Sequence, residues 1–271
     1  MAMVVQDCVV ILLRSPPSNV YKPTLSIDEN QQKNEQDLKI HGLRVQRIRL
    51  GPRGSFSSSS TPMVQYAPSW IPIGAQSLCC MTGLAMDVEH VTRVLQKFAD
   101  DEYNVFDIPP TTYSMTQSLA KLFRDVCLVD GTRPYGVQAM MIGCDDVDPH
   151  QRGGLCMYSI DPSGTWQSWG KACAIGKFGR EVRGLLGKKL RSMPATSLSS
   201  IEVPQALEHL VECWNEICKQ QNINQRGDDD WEILILQKDP RNGSKRCLYT
   251  LSKEETIRIF DSNAKQTEPK I

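Results

Sequence analysis

The stretch Gly131-Thr132-Arg133-Pro134-Tyr135-Gly136-Val137 leads into the apolar Ala139-Met140-Met141-Ile142, and is followed by Asp161-Pro162-Ser163-Gly164 and Ala174-Ile175-Gly176-Lys177. Pro134 fixes its own φ and pushes Arg133 toward extended backbone, so the chain enters a strand over Val137 to Gly143 in a set direction. Gly136 permits close backbone approach at that start. Leu155 to Ile160 and Thr165 to Trp169 flank Asp161-Pro162-Ser163-Gly164. Within that turn Asp161 caps, Pro162 suits the second position and Gly164 supplies the unusual φ that closes a hairpin.

Working outward, the same economy holds on both sides. Ser77 to Met81 is a short apolar segment ending at Thr82-Gly83, after which Leu84, Val88, Val91, Leu95 and Phe98 recur at helical spacing. Pro109-Pro110 breaks that helix, Thr111 or Thr112 caps the next, and Met115, Leu119, Leu122, Phe123 and Val126 form its apolar stripe. Beyond the hairpin, Phe178 to Leu190 reads as a third helix, which Gly179, Gly184 and Gly187 weaken. A fourth helix starts at Pro204 and carries Leu207, Leu210, Val211, Trp214, Ile217 and Cys218 on one face. Strands over Trp231 to Gln237 and Arg246 to Thr250 follow, and Ser252 with Glu255 forms a capping box for a last short helix to about Phe260. An order of strand, two helices, antiparallel strands, two helices, two strands and a helix implies an α+β domain.

Composition narrows the functional classes. The 271 residues are 40% hydrophobic and 23% charged, enough to bury a sizeable core. Lys and Arg total 31 against 31 Asp and Glu, so no global field draws the chain to nucleic acid or to an anionic membrane. The longest early apolar stretch, Val9 to Leu13, is far short of the roughly 20 residues a membrane helix needs, and no basic n-region precedes it. The reading is a soluble, unsecreted protein. Ten cysteines contain no C-x-x-C pair and mostly sit in apolar patterns, which suits buried free thiols in a reducing cytosol or nucleus. His41, His90, His150 and His209 show no ligand spacing, so neither a metal nor a cofactor is expected.

The carriers of chemistry are few. Asp228-Asp229-Asp230 lacks the alternating ligands and closing glutamate of a calcium loop and reads as solvated. Arg44-Val45-Gln46-Arg47-Ile48-Arg49 is either a strand with one charged face or a basic patch. Cys127 or Cys173 with a distant histidine is the remaining thiol nucleophile, against the reading of each as a structural cysteine. No Ser-His-Asp set or Gly-rich phosphate loop stands out.

Taken together, Met81-Thr82-Gly83-Leu84 with Asp87, Arg133-Pro134-Tyr135-Gly136 and Tyr158-x-Ile160-Asp161-Pro162-Ser163-Gly164 resemble the non-catalytic alpha subunits of the 20S proteasome. Trp169-Gly170-x-x-Cys173-Ala174-Ile175-Gly176-Lys177 is similar to the family's next strand and helix start, while Met86 stands where Ala is usual. The detailed likeness covers about Ser77 to Leu190, and beyond Ile201 it rests on element order and Leu251-Ser252-Lys253-Glu254-Glu255. It implies the family's four-layer αββα sandwich, that of the N-terminal nucleophile hydrolases. Related beta subunits cut after glycine to free a threonine whose α-amine serves as base. The Gly131-Thr132 and Gly164-Thr165 pairs instead lie at turns deep inside the domain, so no active site is expected.

The N-terminal quarter departs from the pattern. The gate motif G-Y-D-R, the F-S-P-D/E-G-R loop and the V-E-Y-A helix are not found, and Ser69-Trp70 occupies the place of the family's Lys-Ile pair. The expected organisation is an early strand within 1–13, an atypical Ser/Pro/Gln/Asn-rich segment 14–76 that is either a partly disordered insertion or a gene-model error, a family-like domain 77–262 and a flexible tail 263–271. The implied role is a structural subunit of the alpha ring, supporting core assembly and substrate access in ubiquitin-dependent degradation in cytoplasm and nucleus. Implied partners are two lateral alpha neighbours, beta subunits and the regulatory particle, with no nucleic acid and no membrane. Alternatives are a catalytic hydrolase of the same fold and a divergent paralogue that does not assemble. The residues that carry the motifs are Thr82, Gly83, Leu84, Asp87, Arg133, Pro134, Tyr135, Gly136, Asp161, Pro162, Ser163, Gly164 and Gly176.

Overall fold

The computed structural model describes residues 1–5, 8–14, 39–40, 43–48, 70–73, 77–145, 154–194, 201–223, 231–238 and 246–266. Strands β1 (Ala2–Val5), β2 (Cys8–Arg14), β3 (Lys39–Ile40), β4 (Leu43–Ile48), β5 (Trp70–Ile73) and β6 (Ser77–Gly83) lead to helices α1 (Ala85–Phe106) and α2 (Thr112–Leu128). Then come β7 (Val137–Cys144), β8 (Leu155–Ile160), β9 (Trp166–Ser168), β10 (Ala172–Cys173), α3 (Gly179–Ser192), α4 (Val203–Gln220), β11 (Trp231–Lys238), β12 (Arg246–Leu251) and α5 (Lys253–Gln266). One sheet has seven strands in the order β10-β1-β2-β11-β12-β4-β3, and the other has five in the order β5-β6-β7-β8-β9.

Strand alternation builds the layers. In β2, Cys8, Val10 and Leu12 pack with α4 residues such as Leu207, Leu210 and Val211, whereas Val9, Ile11 and Leu13 face Leu78, Met140, Ile142 and Met157 of the second sheet. In β7, Met140, Ile142 and Cys144 share that inter-sheet core, while Val137, Ala139 and Met141 pack against Val91, Leu95, Leu119 and Phe123 of α1 and α2. Because side chains on a strand point alternately to opposite faces, a strand apolar throughout is buried on both. The result is α1 and α2 on the five-stranded sheet, that sheet on the seven-stranded one, and α3 and α4 outside it, an αββα sandwich.

Three strands, β3, β4 and β5, fall inside the segment 14–76 that the sequence set apart as atypical, and they belong to the two sheets. β4 pairs with β12, Leu248 opposite Ile48, so Arg44 to Ile48 is a strand. Trp70 is buried in β5, opposite Cys80. The early segment forms two strands where one was expected, with Met3 opposite Val10. α5 runs to Gln266, past the boundary drawn at 262. Ser252 caps its start, its Oγ accepting from Glu255 N at 3.3 Å. The α3 helix forms despite its glycines because Val182 and Leu186 bury beneath it. The Ser55 to Ser60 run and Asp228-Asp229-Asp230 lie outside the described residues.

Candidate functional site

The motif residues converge on one end of the five-stranded sheet. At the β6 to α1 junction Gly83 has φ +146°, and a Cβ there would stand 1.9 Å from the Gly136 carbonyl oxygen. Only glycine fits this approach. Leu84 N donates to that same oxygen at 2.9 Å, which fastens the start of α1 to the start of β7. One turn into α1, the Asp87 carboxylate accepts two bonds of 2.7 Å from the Arg133 guanidinium and a third, 2.8 Å, from Gly136 N. The paired guanidinium and the Gly136 N–H hold the Asp87 carboxyl down at about 2, against the opposing effect of burial. Tyr135 lies between Phe123 and His90, its ring 5.6 Å from the one and stacked 5.7 Å from the other.

A second knot sits beside the first. Asp161 and Thr165 close the β8 to β9 turn, with Asp161 N donating to Thr165 O and Gly164 N donating to Asp161 O, both at 2.9 Å. Gly164 has φ +76° and presses onto α2, where a Cβ would meet Ala120 O at 2.4 Å. Cys127 Sγ donates to Pro162 O at 3.6 Å, and Ser163 Oγ bonds Thr165 Oγ1 at 3.1 Å. Gly176 has φ +97° and its N–H donates to Gln138 Oε1 at 2.9 Å. Through its other amide atom Gln138 donates to Asp161 Oδ1 at 2.6 Å.

Gln138 therefore ties the hairpin turn to the start of α3, a role that no local pattern marks. Its partners lie 23 and 38 residues along the chain, beyond any local spacing. Asp145 was missed in the same way. It is buried at the end of β7 and accepts from Thr112 N at 2.7 Å and Tyr113 N at 2.9 Å, capping α2 together with Thr111, which accepts from Ser114 N.

The two Gly-Thr pairs are used structurally. Thr132 Oγ1 donates toward Val126 O and Val129 O at the end of α2, and Thr165 belongs to the turn just described. Nine of the ten cysteines are buried, and Cys127 is exposed. Burial pushes Cys80 and Cys156 up to about 12 and Cys173 and Cys213 up to about 11, so these thiols stay protonated and poor nucleophiles at neutral pH. Among the described residues no group of three or more His, Cys, Asp or Glu could hold a metal, and no helix is long and apolar enough to cross a membrane. What this end of the molecule does is mechanical. It locks three junctions, β6 to α1, β8 to β9 and β10 to α3, into one rigid corner.

A model of the family described as "Proteasome subunit" matches residues 56–229. The chain belongs to the proteasome subunit family. The curated relatives it resembles are of the alpha type. "Probable proteasome subunit alpha type-2" of Schizosaccharomyces pombe is 29% identical over 132 residues, covering 45% of this chain and 51% of that protein. "Proteasome subunit alpha type-8" of Mus musculus is 31% identical, covering 48% and 46%. "Proteasome subunit alpha type-7-like" of Macaca fascicularis is 33% identical, covering 59% and 58%. The chain spans about half the length of the curated relatives it matches. For a proteasome subunit, the locked corner and the two-sheet core are the frame on which any assembly surface is held.

Proposed function

We propose that this proteasome subunit is a non-catalytic structural member of the alpha ring of a 20S core. It pairs with two alpha neighbours, docks on the beta ring and supports core assembly and substrate access in ubiquitin-dependent degradation, in cytoplasm and nucleus, beneath a regulatory particle. The observation that carries this reading is the set of exposed apolar side chains at both ends of the α1–α2 layer. Val105 is 73% and Phe106 63% exposed at the end of α1, and Leu128 is 76% exposed at the end of α2, apolar groups that an isolated monomer leaves wet and an assembly covers. Spending the Gly-Thr hydroxyls on local contacts and keeping the buried Cys80, Cys156, Cys173 and Cys213 thiols protonated supports the non-catalytic part.

Native mass spectrometry of the tagged endogenous protein tests both parts together. The expected result is a complex of several subunits in which this chain keeps its full mass. A free monomer in the presence of alpha and beta subunits would overturn the assembly role, and a subunit truncated to a new N-terminal Thr, Ser or Cys would overturn the non-catalytic one.

A further inference from the structure

The exposed Ser and Thr side chains among the described residues are Thr132, Ser163, Thr165, Ser168 and Ser192. Thr132 is held by the Val126 and Val129 carbonyls, Ser163 and Thr165 bond each other inside the tight β8–β9 turn, and Ser168 lies in β9. No Lys, Arg or His stands in the four positions before any of these. Ser192 differs. The four residues before it are Lys188, Lys189, Leu190 and Arg191, and α3 ends on it.

The local backbone leaves this hydroxyl within reach. Met193 takes φ −81° and ψ 141°, which is extended backbone, and Pro194 follows, so the helix cannot continue. Ser192 Oγ donates to Lys189 O at 2.7 Å, one of the last carbonyls of α3, which have no partner within the helix. The terminal turn of a helix opens at small cost, and here the apolar side chains that resist opening, Leu190 and Met193, are only partly buried against the core. Lys188 and Arg191 are exposed. Lys189 is paired with Glu212 of α4, and His209 Nδ1, which has no hydrogen-bond partner, lies 3.6 Å from the same carboxylate.

We propose that Ser192 is a phosphorylation site for a serine kinase that selects basic residues ahead of its acceptor. In the transfer Ser192 Oγ attacks the γ-phosphorus of ATP, the bond to the departing ADP breaks as the Oγ–P bond forms, and the hydroxyl proton passes to a base of the kinase. Carboxylates lining the kinase cleft read Lys188, Lys189 and Arg191 through charge-assisted hydrogen bonds. The phosphate brings about −1.5 to −2 charges at neutral pH to a turn that otherwise carries three cations. It also replaces a donor by acceptors beside the last carbonyls of α3. Lys188 and Lys189, four and three positions back, share its face of the helix and supply the counter-charge. Lys189 then turns from Glu212 toward the phosphate, and His209 is left as the neighbour of that carboxylate. The modification bears on the seam between α3 and α4 and does not depend on any other subunit of a proteasome.

Incubation of the purified full-length chain with ATP and the catalytic domain of protein kinase C tests this, with tandem mass spectrometry locating the phosphate. Phosphate is expected on Ser192 and is lost in Ser192→Ala. Replacing both exposed cations, Lys188→Ala with Arg191→Ala, is expected to slow incorporation at Ser192 by at least about tenfold. The charge-keeping pair Lys188→Arg with Arg191→Lys is expected to restore most of the rate, and Ser168→Ala to leave it unchanged. Circular dichroism spectra matching the wild type show that the rates report recognition and not folding. Absence of phosphate on Ser192 of the folded chain overturns the proposal. So does incorporation that ignores the loss of both cations, or that appears only after the chain has been unfolded by heat. Ser192 can accept phosphate while native mass spectrometry finds a free monomer, and the reverse, so the two readings fall separately.

Discussion

The two helical layers of this sandwich differ in what they leave outside. Along α4, nine residues are buried and all are apolar, from Val203 to Cys218, so the helix spends its hydrophobic face on its own sheet. Its exposed side carries Glu208 and Glu216, and Lys189 of α3 pairs with its Glu212. Six residues of α1 are buried, and two of them, Asp87 and Thr92, are polar. The stretch from Leu84 to Val129, which contains α1 and α2, also bears eight of the nine exposed large apolar side chains among the described residues, the ninth being Ile257 of α5. A helix with apolar groups on two sides has two surfaces to bury, and its own sheet covers one. The α3–α4 layer thus buries its apolar residues within the chain itself, whereas the α1–α2 layer is held in place by polar junctions and leaves apolar side chains exposed at its ends.

Breaking the junction is the largest perturbation available. Gly83→Ala would force a Cβ into the Gly136 carbonyl at a φ that side chains rarely adopt, so a loss on the order of 3 kcal/mol or more is expected in urea unfolding. A loss below about 1 kcal/mol would show that the α1–α2 layer is not rigidly hung at this point. Next comes Asp87→Asn, which leaves Arg133 unpaired and weakens the Gly136 bond, at about 1–3 kcal/mol near neutral pH. The Asp87 carboxyl is depressed in the folded chain, so its contribution is complete above the ordinary value of 3.8 and is lost as pH falls through that value toward about 2. The stability gap between wild type and Asp87→Asn is therefore expected to close on acidification from about pH 5 to pH 2. A gap that does not change with pH would mean that charge at Asp87 contributes nothing.

The smallest effect belongs to the finished layer. Lys189 pairs with Glu212 between α3 and α4, with His209 Nδ1 3.6 Å from the same carboxylate. Burial raises the Glu212 carboxyl, but the bond and charge of Lys189 and the nearby His209 outweigh it, and the net shift is downward. With 29% of the lysine and 42% of the glutamate side chain exposed, solvent screens most of the attraction. Lys189→Ala is expected to cost less than about 0.5 kcal/mol, read from the same urea curves. A larger loss would place α3 and α4 under the same kind of polar control as α1, and would erase the contrast between the layers.

Much of this architecture was legible wherever the determinant is local. Helical spacing located α1, α2, α3 and α4, and the turn residues of Asp161-Pro162-Ser163-Gly164 located the β8–β9 hairpin. Arg133, Asp87 and Gly136 were singled out as residues, but their meeting in one hydrogen-bonded group was not readable, because they lie 46 and 49 positions apart. Separations of 23 to 38 positions likewise hid Gln138 and Asp145, whose roles exist only after β7 has been brought beside two other junctions. Strands β3 and β5 escaped because they are short, two and four residues, β3 within polar sequence and β5 with Pro68 before it and Pro72 within it, so that alternation cannot be counted. β4 was open between strand and basic patch until its pairing with β12 settled the matter.

The order of strands has a consequence for how the chain is made. The five-stranded sheet runs β5-β6-β7-β8-β9 in simple succession, so all its pairings are available once residue 168 has been synthesised. In the seven-stranded sheet, β2 lies against β11, Leu12 opposite Ile233, and no amount of waiting at the N-terminus can complete it. Roughly eighty more residues must leave the ribosome first, on the order of ten seconds of translation. For that interval the inner face of the first sheet, with Leu78, Met140, Ile142 and Met157, has no partner sheet to close over it. The nascent chain is then a half-built sandwich with an apolar sheet face open to chaperones and neighbouring ribosomes.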